Sequence, residues 1–466
     1  MTAAIFGSRH RSLLRPFQPE IMNRTTSGPA EIPSPRLPKV SHGRGSYLWD
    51  TAGKQYIDGS GGPAVYCLGH AHPEVNAAIA EQLGRVAHGY RYLFTSDPLE
   101  QLGELVAARC DGAFRNMVFT TGGSEAMESC LKLALQYHFA RGEPGRVRFI
   151  ARERSYHGNT LMTTALSGFA ERRRPYEQAL HPVGRVSAAN EYRPPEGLAG
   201  GDLVAYLAAE LEREILRLGP ETVAAFVFEP VVGAAGGVVP APPGYAAAVL
   251  EVCRRHGVLA IADEVMCGSG RTGPWRALAH DGVVPDIMAV AKSLSGGYLP
   301  LGAAVYSPAI AEVLQRHAGG PLTGHTYTGH TACVAAGLAV QRIIERDRLL
   351  DRVRETGAAW LAHLRERFGR FDEIGDIRGR GYFIGLELVR DRTAKEPFAP
   401  ELRLHGRIRE AGLARGLICY PTFGHVGGDR GDTVILAPPY NASDAELEEI
   451  AAKLEAAVEA VLSEVR

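Results

Sequence analysis

The sequence predicts an α/β protein whose mostly parallel sheet is covered by helices on both faces. From about residue 72 to about residue 330, short apolar runs alternate with longer segments that carry apolar residues at helical spacing. The apolar runs are NMVFT, RVRFIA, AAFVFEP, VLAIADEV, DIMAVAK and AAVYS, and the helical segments include HPEVNAAIAEQLGRV, ESCLKLALQYHFARG and YAAAVLEVCRRHG. Strands that alternate with helices in this way build parallel sheets that are buried on both faces.

Three regions are predicted along the 466 residues. Residues 1–71 hold an Arg-rich start, which we interpret as a flexible arm, and a hairpin that turns at Ala52-Gly53. Residues 72–330 form a large domain. Residues 331–466 form a smaller α+β domain, with predicted strands at YFIGLELV and TVILAPP and a terminal helix at ELEEIAAKLEAAVEAVL.

The charge balance argues against nucleic acid and membrane surfaces as partners, since 51 basic residues face 52 acidic ones. A small soluble substrate is the better expectation. The seven cysteines are scattered without a CxxC pair, which predicts neither a disulfide framework nor a metal site and favours a reducing, cytoplasmic compartment. No apolar run is long enough to predict a membrane span.

In parallel sheets ligands bind beyond the carboxyl ends of the strands, so the residues that follow each apolar run are the candidates. After the first run, TTGGSEA places Gly123 and Ser124 at the start of a helix, where free amides and the helix dipole suit a phosphate group. The alternative is an ordinary helix N-cap, with Ser124 as the capping residue and Glu125 favouring the dipole.

The run VLAIADEV ends in Asp263 and Glu264, and buried carboxylates there require a cation or a hydrogen-bond donor. A solvent-facing loop carboxylate is the alternative. The following GSGRTG formally matches GxGxxG and leaves a nicotinamide oxidoreductase open. Pro274-Trp275 interrupts the helix that such a fingerprint requires, so this match is weak.

Lys292 lies in an apolar run of small residues, AVAKSLSGG, where loss of hydration lowers a lysine pKa and makes the amine a nucleophile and Schiff-base former. A lysine that extends from the strand end into solvent is the alternative. In SYHGN, Tyr156 and His157 follow another run, and Tyr156 either stacks on a flat ring or packs as a loop tyrosine. A phosphate site, an aromatic ring, a carboxylate and an amine together meet the needs of pyridoxal phosphate.

Six stretches in a fixed order extend this pattern from about Gly45 to the C-terminus. They are TTGGSEAMESCLKLA, SYHGNT, FVFEPVVGAAGGVVPAPPGY, LAIADEVMCGSGRTG, PDIMAVAKSLSGGYLPLGA and GHTYTGHTACVAAGLA. In these motifs the chain resembles the class III aminotransferases of the fold type I pyridoxal-phosphate enzymes, in particular the omega-amine/pyruvate transaminases. The resemblance implies a large domain with a seven-stranded-type sheet and a small domain built from the N-terminal segment and the C-terminus.

The same resemblance assigns roles to residues. It makes Lys292 the lysine that binds the cofactor covalently and carries the proton, and Asp263 the partner of the pyridine nitrogen. The cofactor contacts that it implies are Gly123, Ser124, Tyr156, His157, Asp263, Val265, Lys292 and, across a subunit interface, Thr326. It also places Glu229 near the substrate, and it implies a homodimer or a dimer of dimers with shared active sites.

One departure from the family concerns the substrate carboxylate. Many relatives carry an arginine where this chain has Ile435 in TVILAPP, so a bidentate carboxylate partner is missing there. Arg430 either substitutes for it or is a solvated loop residue. Tyr66 and the aromatic residues of HGYRYLF either line an apolar entrance or pack at a dimer interface.

The resulting functional expectation is a transaminase that moves an amino group from an amine or an omega- or beta-amino donor to an oxo acid such as pyruvate or 2-oxoglutarate. An aminomutase and a dialkylglycine-type decarboxylase share the same motifs and stay open as alternatives. A non-catalytic ligand-binding or regulatory protein is the alternative from another class.

Overall fold

The computed structural model describes residues 37–198 and 202–465, so the arm predicted at the start of the chain lies outside the described residues. Its strands are β1 (Val40–Arg44), β2 (Tyr47–Asp50), β3 (Gln55–Asp58), β4 (Asn116–Thr120), β5 (Arg148–Arg152), β6 (Gly184–Val186), β7 (Val223–Phe228), β8 (Val231–Val232), β9 (Val239–Pro240), β10 (Leu259–Asp263), β11 (Ile287–Val290), β12 (Gly302–Tyr306), β13 (Ile374–Arg380), β14 (Phe383–Leu388), β15 (Leu417–Ile418), β16 (Tyr420–Val426) and β17 (Arg430–Leu436).

Helices fill most of the sequence between the strands. They are α1 (Gly61–Ala64), α2 (Pro73–Arg85), α3 (Asp97–Arg109), α4 (Gly123–Ala140), α5 (Leu161–Leu166), α6 (Ala170–Arg173), α7 (Leu203–Leu218), α8 (Tyr245–Arg255), α9 (Pro308–Ala318), α10 (Thr331–Arg346), α11 (Leu349–Phe368), α12 (Leu404–Ala414) and α13 (Asp444–Ser463). No helix within the described ranges is both long enough and apolar enough to cross a bilayer.

A seven-stranded sheet in the order β4-β12-β11-β10-β7-β5-β6 forms the centre of the fold. Its strands are buried on both faces because alternate side chains of one strand enter different cores. In β7, Phe226 and Phe228 join the core on one face, whereas Ala225 and Val227 join the core on the other. The predicted mostly parallel sheet, covered by helices, is thereby confirmed.

Strand β12 is the one strand of this sheet that runs antiparallel to its neighbours, β11 and β4. The sequence predicts the strand but not its direction. The reason lies in the connection, because residues 291–301 join β11 to β12 without a crossover helix, and parallel neighbours need a longer crossover. Lys292 therefore lies in a loop between two antiparallel neighbours.

Three smaller sheets contain the strands outside the large sheet. Strands β13-β14-β17-β16 form an antiparallel sheet, and β8 and β9 form a two-stranded one. Strands β1-β2-β3-β15 form a mixed sheet, in which Leu417 of β15 pairs in parallel with Ile57 of β3. The C-terminal part of the chain thus adds a strand to the N-terminal segment, as the resemblance implies. Strands β13 and β16 escape prediction because glycines and charges in IGDIRGR, and a proline and a glycine in YPTFGHV, weaken the strand pattern.

A buried ionic cluster connects the β13-β14-β17-β16 sheet to the region that follows β8. Glu387 of β14 accepts hydrogen bonds from Arg378 and Arg193, each at 2.6 Å, and lies 3.1 Å from His425. Burial alone would raise the pKa of Glu387, but the positive charge of Arg378 lowers it below its usual range. Arg378 also donates to the carbonyl oxygens of Gly236 and Val238, both at 3.0 Å.

Candidate active site

A cavity of about 350 Å³ opens at the carboxyl ends of the parallel strands of the large sheet. Thr121, Gly158, Ala234, Met266 and Leu301 contribute to its wall. The predicted residues that line it are Gly123, Ser124, Tyr156, His157, Glu229, Asp263, Val265 and Lys292. These residues lie at or just after the ends of β4, β5, β7, β10 and β11, where such sheets bind ligands.

The start of α4 forms one wall of the cavity. The helix begins at Gly123, no side chain caps it, and the first amides of a helix have no acceptor within the helix. A Cβ added at Gly122 would meet nothing within 4 Å, so this end is open. The hydroxyl of Ser124 accepts a hydrogen bond from the Asn159 amide at 3.0 Å and keeps its own proton free to donate. These features fit a phosphate group.

Glycines bring the neighbouring loops close to this helix start. A Cβ at Gly123 would lie 2.7 Å from Val265, and a Cβ at Gly158 would lie 2.7 Å from the Ser124 hydroxyl oxygen. Gly158 also has a φ of 136°, which favours glycine. The segment SYHGN can therefore follow the helix start closely only because glycine stands after His157.

Asp263 is buried at the end of β10 and is held in place from two sides. Its Oδ2 lies 2.9 Å from Nδ1 of His157, and its Oδ1 accepts the Val265 amide at 3.0 Å. Because an ionised carboxylate only accepts hydrogen bonds, the imidazole proton is on Nδ1. The negative charge of Asp263 at the cavity wall suits a protonated ring nitrogen.

Glu229 follows β7 and is also buried. One of its carboxylate oxygens accepts the Tyr156 amide at 2.9 Å, and the other accepts the Gly233 amide at 2.9 Å. Burial raises the pKa of this carboxyl group above its usual range. The structure thus gives Glu229 a role in joining two loops, while its contact with substrate stays a prediction.

Lys292 begins the loop between β11 and β12 and lines the same cavity as Asp263 and Glu229. Its φ is 47°, a left-handed conformation that strains a residue with a side chain by roughly 1–2 kcal/mol. The Gly296 amide donates to its carbonyl oxygen at 2.9 Å and helps to hold this turn. Burial lowers the pKa of the Lys292 ammonium, although Asp263 and Glu229 act in the opposite direction.

The second carboxylate of the ADEV sequence has a different role from the first. Glu264 accepts the amides of Ala277, at 2.5 Å, and Leu278, at 3.0 Å, at the start of a short 3-10 helix (Ala277–Asp281). Burial raises the pKa of Glu264 to about 7. Of these two neighbouring acids, therefore, Asp263 lines the cavity, whereas Glu264 stabilises the start of the 3-10 helix.

The formal GxGxxG match forms turns and contributes no dinucleotide site. Arg271 within it is fully buried and donates to the carbonyl oxygens of Pro438 at 2.5 Å and of Tyr382 and Tyr66 at 3.3 Å. Its guanidinium also stacks on the Tyr440 ring at 4.6 Å. The glycines of this segment thus surround a structural arginine.

Three predicted residues lie away from the cavity wall. Thr326 occupies an exposed turn, and Arg430 is exposed at the start of β17, 3.9 Å from Asp429. Tyr66 packs beside Gly297, which does line the cavity, and its ring lies 4.5 Å from the His70 ring. The cofactor role of Thr326 and the substrate roles of Tyr66 and Arg430 stay predictions.

Some residues of the wall escaped prediction. Met266 and Leu301 lack charge or chemistry that would single them out in a sequence. A signal did exist for Gly158, since it directly follows the aromatic pair in SYHGN. Another existed for Ala234, because FEPVVGAAGG places several small residues directly after a buried strand.

The residues present fit pyridoxal phosphate. The start of α4 can bind its phosphate, and the Asp263 carboxylate can bind its ring nitrogen. Lys292 can bind its aldehyde carbon. Tyr156 and Val265 can pack against the two faces of its ring. When bound, the cofactor supplies a carbonyl that takes the substrate amine and a ring that withdraws electrons from the substrate. The Lys292 amine is then placed to move a proton at the substrate carbon, and burial favours its uncharged form.

Comparison with known proteins agrees with this site. The family model of the class-III aminotransferases matches residues 33–458. An uncharacterised aminotransferase of Schizosaccharomyces pombe is 41% identical over 420 residues, which are 90% of this chain and 92% of that protein.

Solved structures agree as well. The (S)-enantioselective omega-transaminase of Thermomicrobium roseum has a TM-score of 0.84 and 35% identity, over 91% of this chain and 93% of that one. An amine transaminase of an uncultivated Pseudomonas species, solved in its PLP-bound form, has a TM-score of 0.85 and 32% identity, over 94% of this chain and 99% of that one.

The fold and the cavity define a pyridoxal-phosphate-dependent transaminase of fold type I. More particularly, the chain belongs to the class III aminotransferase family, because the family match extends over most of its length.

Replacement of Lys292 by alanine should abolish covalent capture of the cofactor. Borohydride reduction should fix pyridoxal phosphate on the wild-type chain, and mass spectrometry should find it on the peptide that contains Lys292. The alanine variant should show no added mass. Because burial lowers the Lys292 pKa, capture by the apoprotein should reach its maximal rate below the ordinary lysine pKa of about 10.4. Cofactor fixed on another lysine, such as Lys132, would contradict the assignment.

Proposed function

We propose that the enzyme moves an amino group from an amine, or from an omega- or beta-amino donor, to an oxo acid such as pyruvate or 2-oxoglutarate. Transfer takes place in two half-reactions in the same cavity. The donor first leaves its nitrogen in the site as a carbonyl product departs, and the oxo acid then collects it.

Seven free cysteines, all within the described part of the chain, support a reducing, cytoplasmic location.

Ile435 carries this proposal. It occupies the position at which many relatives bind an α-carboxylate, and only 1% of it is exposed. It belongs to an apolar cluster with Ala64 and Met266, and Met266 lines the cavity. A carboxylate placed against this wall would lose its hydration without a partner, whereas an apolar substituent would fit. The description of the Thermomicrobium roseum neighbour as an omega-transaminase gives further support.

The donor class can be tested with purified holoenzyme, 1-phenylethylamine and pyruvate. We expect acetophenone and alanine in equal amounts and no carbon dioxide, because nothing is transferred except the amino group. 4-Aminobutanoate serves as the omega-amino donor, with Lys292→Ala as the inactive control. Transfer from α-amino acids but not from 1-phenylethylamine or 4-aminobutanoate would contradict the proposal. Carbon dioxide in proportion to turnover would indicate a decarboxylase, and movement of the amino group within one molecule would indicate an aminomutase.

We further propose that the enzyme is a homodimer or a dimer of dimers whose active sites are shared. Support comes from an exposed apolar patch formed by two neighbouring loops. Its members, with their exposed fractions, are Tyr90 (47%), Tyr92 (71%), Leu93 (74%), Phe94 (67%), Leu322 (71%) and Tyr327 (55%). The rings of His88 and His330 stack at 5.4 Å between the loops. Contiguous apolar patches of this kind mark protein interfaces.

The position of Thr326 links this patch to the active site. Thr326 lies in the patch loop next to Tyr327 and does not line the cavity of its own chain. A second copy that covered the patch would bring this hydroxyl to the neighbouring site. Loss of a hydrogen bond to a charged phosphate should then weaken cofactor binding by about 10- to 100-fold.

Hybrid dimers distinguish a shared site from a separate one. One subunit carries Lys292→Ala, the other carries Thr326→Ala, and two affinity tags isolate the mixed species. In a shared arrangement, one site of the hybrid has both residues intact, so it should bind cofactor as tightly as wild type and show about half of the wild-type activity. If Thr326 served its own chain, the lysine-bearing site would keep the weak cofactor binding of the Thr326→Ala homodimer. A monomeric wild type would also overturn the proposal.

A further inference from the structure

A positive charge lies next to Tyr156, a residue of the cavity wall, and has no assigned role. Arg172 belongs to α6, and its guanidinium carbon lies 5.0 Å from the centre of the Tyr156 ring and 4.6 Å from that of Phe169. Tyr156 itself lines the cavity. The Arg172 charge is therefore held by two aromatic rings, one of which belongs to the cavity wall.

Acidic groups near Arg172 do not pair with it directly. Its neighbour Glu171 lies 3.8 Å from Arg154 and faces the β16-β17 turn, where a Cβ at Gly428 would meet its carboxylate at 3.2 Å. Burial raises the pKa of Glu171, and the charge of Arg172 acts against this rise. Arg173 pairs with Glu177 at 2.9 Å. Among the described residues, no carboxylate forms an ion pair with Arg172. One donor of Arg172 interacts with the Tyr156 hydroxyl, and the in-plane N–H donors that remain let Arg172 bind an anion.

An oxo acid acceptor needs such a partner. Its carboxylate enters a partly apolar cavity, where a charge without a partner is costly, and a planar guanidinium matches it with two parallel hydrogen bonds. Ile435 cannot supply these donors, and Arg430 is exposed at the far end of β17.

We propose that Arg172 binds the carboxylate of the oxo acid acceptor. The inference rests on the proposed function, because it names the residue that recognises the acceptor in the second half-reaction. It restricts the acceptors to carbonyl compounds with a neighbouring carboxylate and leaves the binding of a carboxylate-free amine unaffected. Tyr156 has a double role, since it lines the cavity and its ring also positions Arg172.

The test compares Arg172→Met with Arg430→Met, which tests the other candidate for the carboxylate, and with the surface control Arg254→Met, all as holoenzymes. Methionine keeps an unbranched apolar stem and removes the charge. Calorimetry measures the dissociation constant of propanoate, which has the carboxylate of pyruvate but no group that reacts. Steady-state kinetics measure kcat/KM for pyruvate and for propanal, an acceptor without a carboxylate, with 1-phenylethylamine as donor.

For Arg172→Met we expect propanoate binding and kcat/KM for pyruvate to fall by about 10- to 100-fold, the range for hydrogen bonds to a charged group. Propanal turnover and cofactor affinity should stay within about threefold of wild type. Arg172→Lys should recover part of the loss, because a lysine keeps the charge but not the planar pair of donors. Arg254→Met removes only an exposed charge on α8 and should behave as wild type.

Three outcomes would overturn the inference. Unchanged propanoate binding in Arg172→Met would remove the residue from the acceptor site. An equal loss with pyruvate and propanal would show that Arg172 only supports the Tyr156 wall. A loss in Arg430→Met instead would assign the carboxylate to Arg430. Because propanoate binding is measured without turnover, a wild type that transfers no amino group would defeat the proposed function and still leave Arg172 testable.

Discussion

The burial of Lys292 beside two carboxylates is the constraint on which the rest of the site depends. Charged groups removed from water are stable only when other groups compensate them. Asp263 has His157 and a backbone amide, and Glu229 has two backbone amides, so both carboxyl groups are held without the lysine. Burial consequently lowers the pKa of Lys292 despite its acidic neighbours. Burial thus favours the uncharged amine of Lys292, the form that suits the lysine predicted to bind the cofactor.

The small sheets contribute to the site although none of their residues was predicted to bind the cofactor. Thr422 of β16 donates to the carbonyl oxygen of Ala234 at 3.1 Å, and Arg378 of β13 holds the carbonyl oxygens of the next turn. Glu387 fixes Arg378 in turn. The loop that carries Ala234 into the cavity wall is therefore shaped by the C-terminal part of the chain. Changes there should reach the substrate through this loop rather than through the cofactor contacts.

Much of the fold and of the site could be predicted because the relevant signals are local. Apolar runs mark buried strands, and the polar residues directly after them converge at one edge of a parallel sheet, as Gly123, Asp263 and Lys292 do. Other features depend on contacts between distant segments. The direction of β12, the left-handed backbone of Lys292 and the different roles of Asp263 and Glu264 are decided by partners that the sequence does not place. Arg172 is a further case, because only the fold brings its ring partners and the cavity together.

We propose that the site separates two tasks, with apolar residues such as Met266, packed against Ile435, on the donor side and cationic and polar groups for the cofactor and the acceptor. Because the donor and the acceptor use the same cavity in turn, each cavity holds one amino group at a time. The most direct measurement is the amount of carbonyl product that holoenzyme forms from an amine donor before any oxo acid is present. Two half-reactions predict one equivalent per active site, with no more until pyruvate is added. Continued product formation without an acceptor would contradict the transamination mechanism.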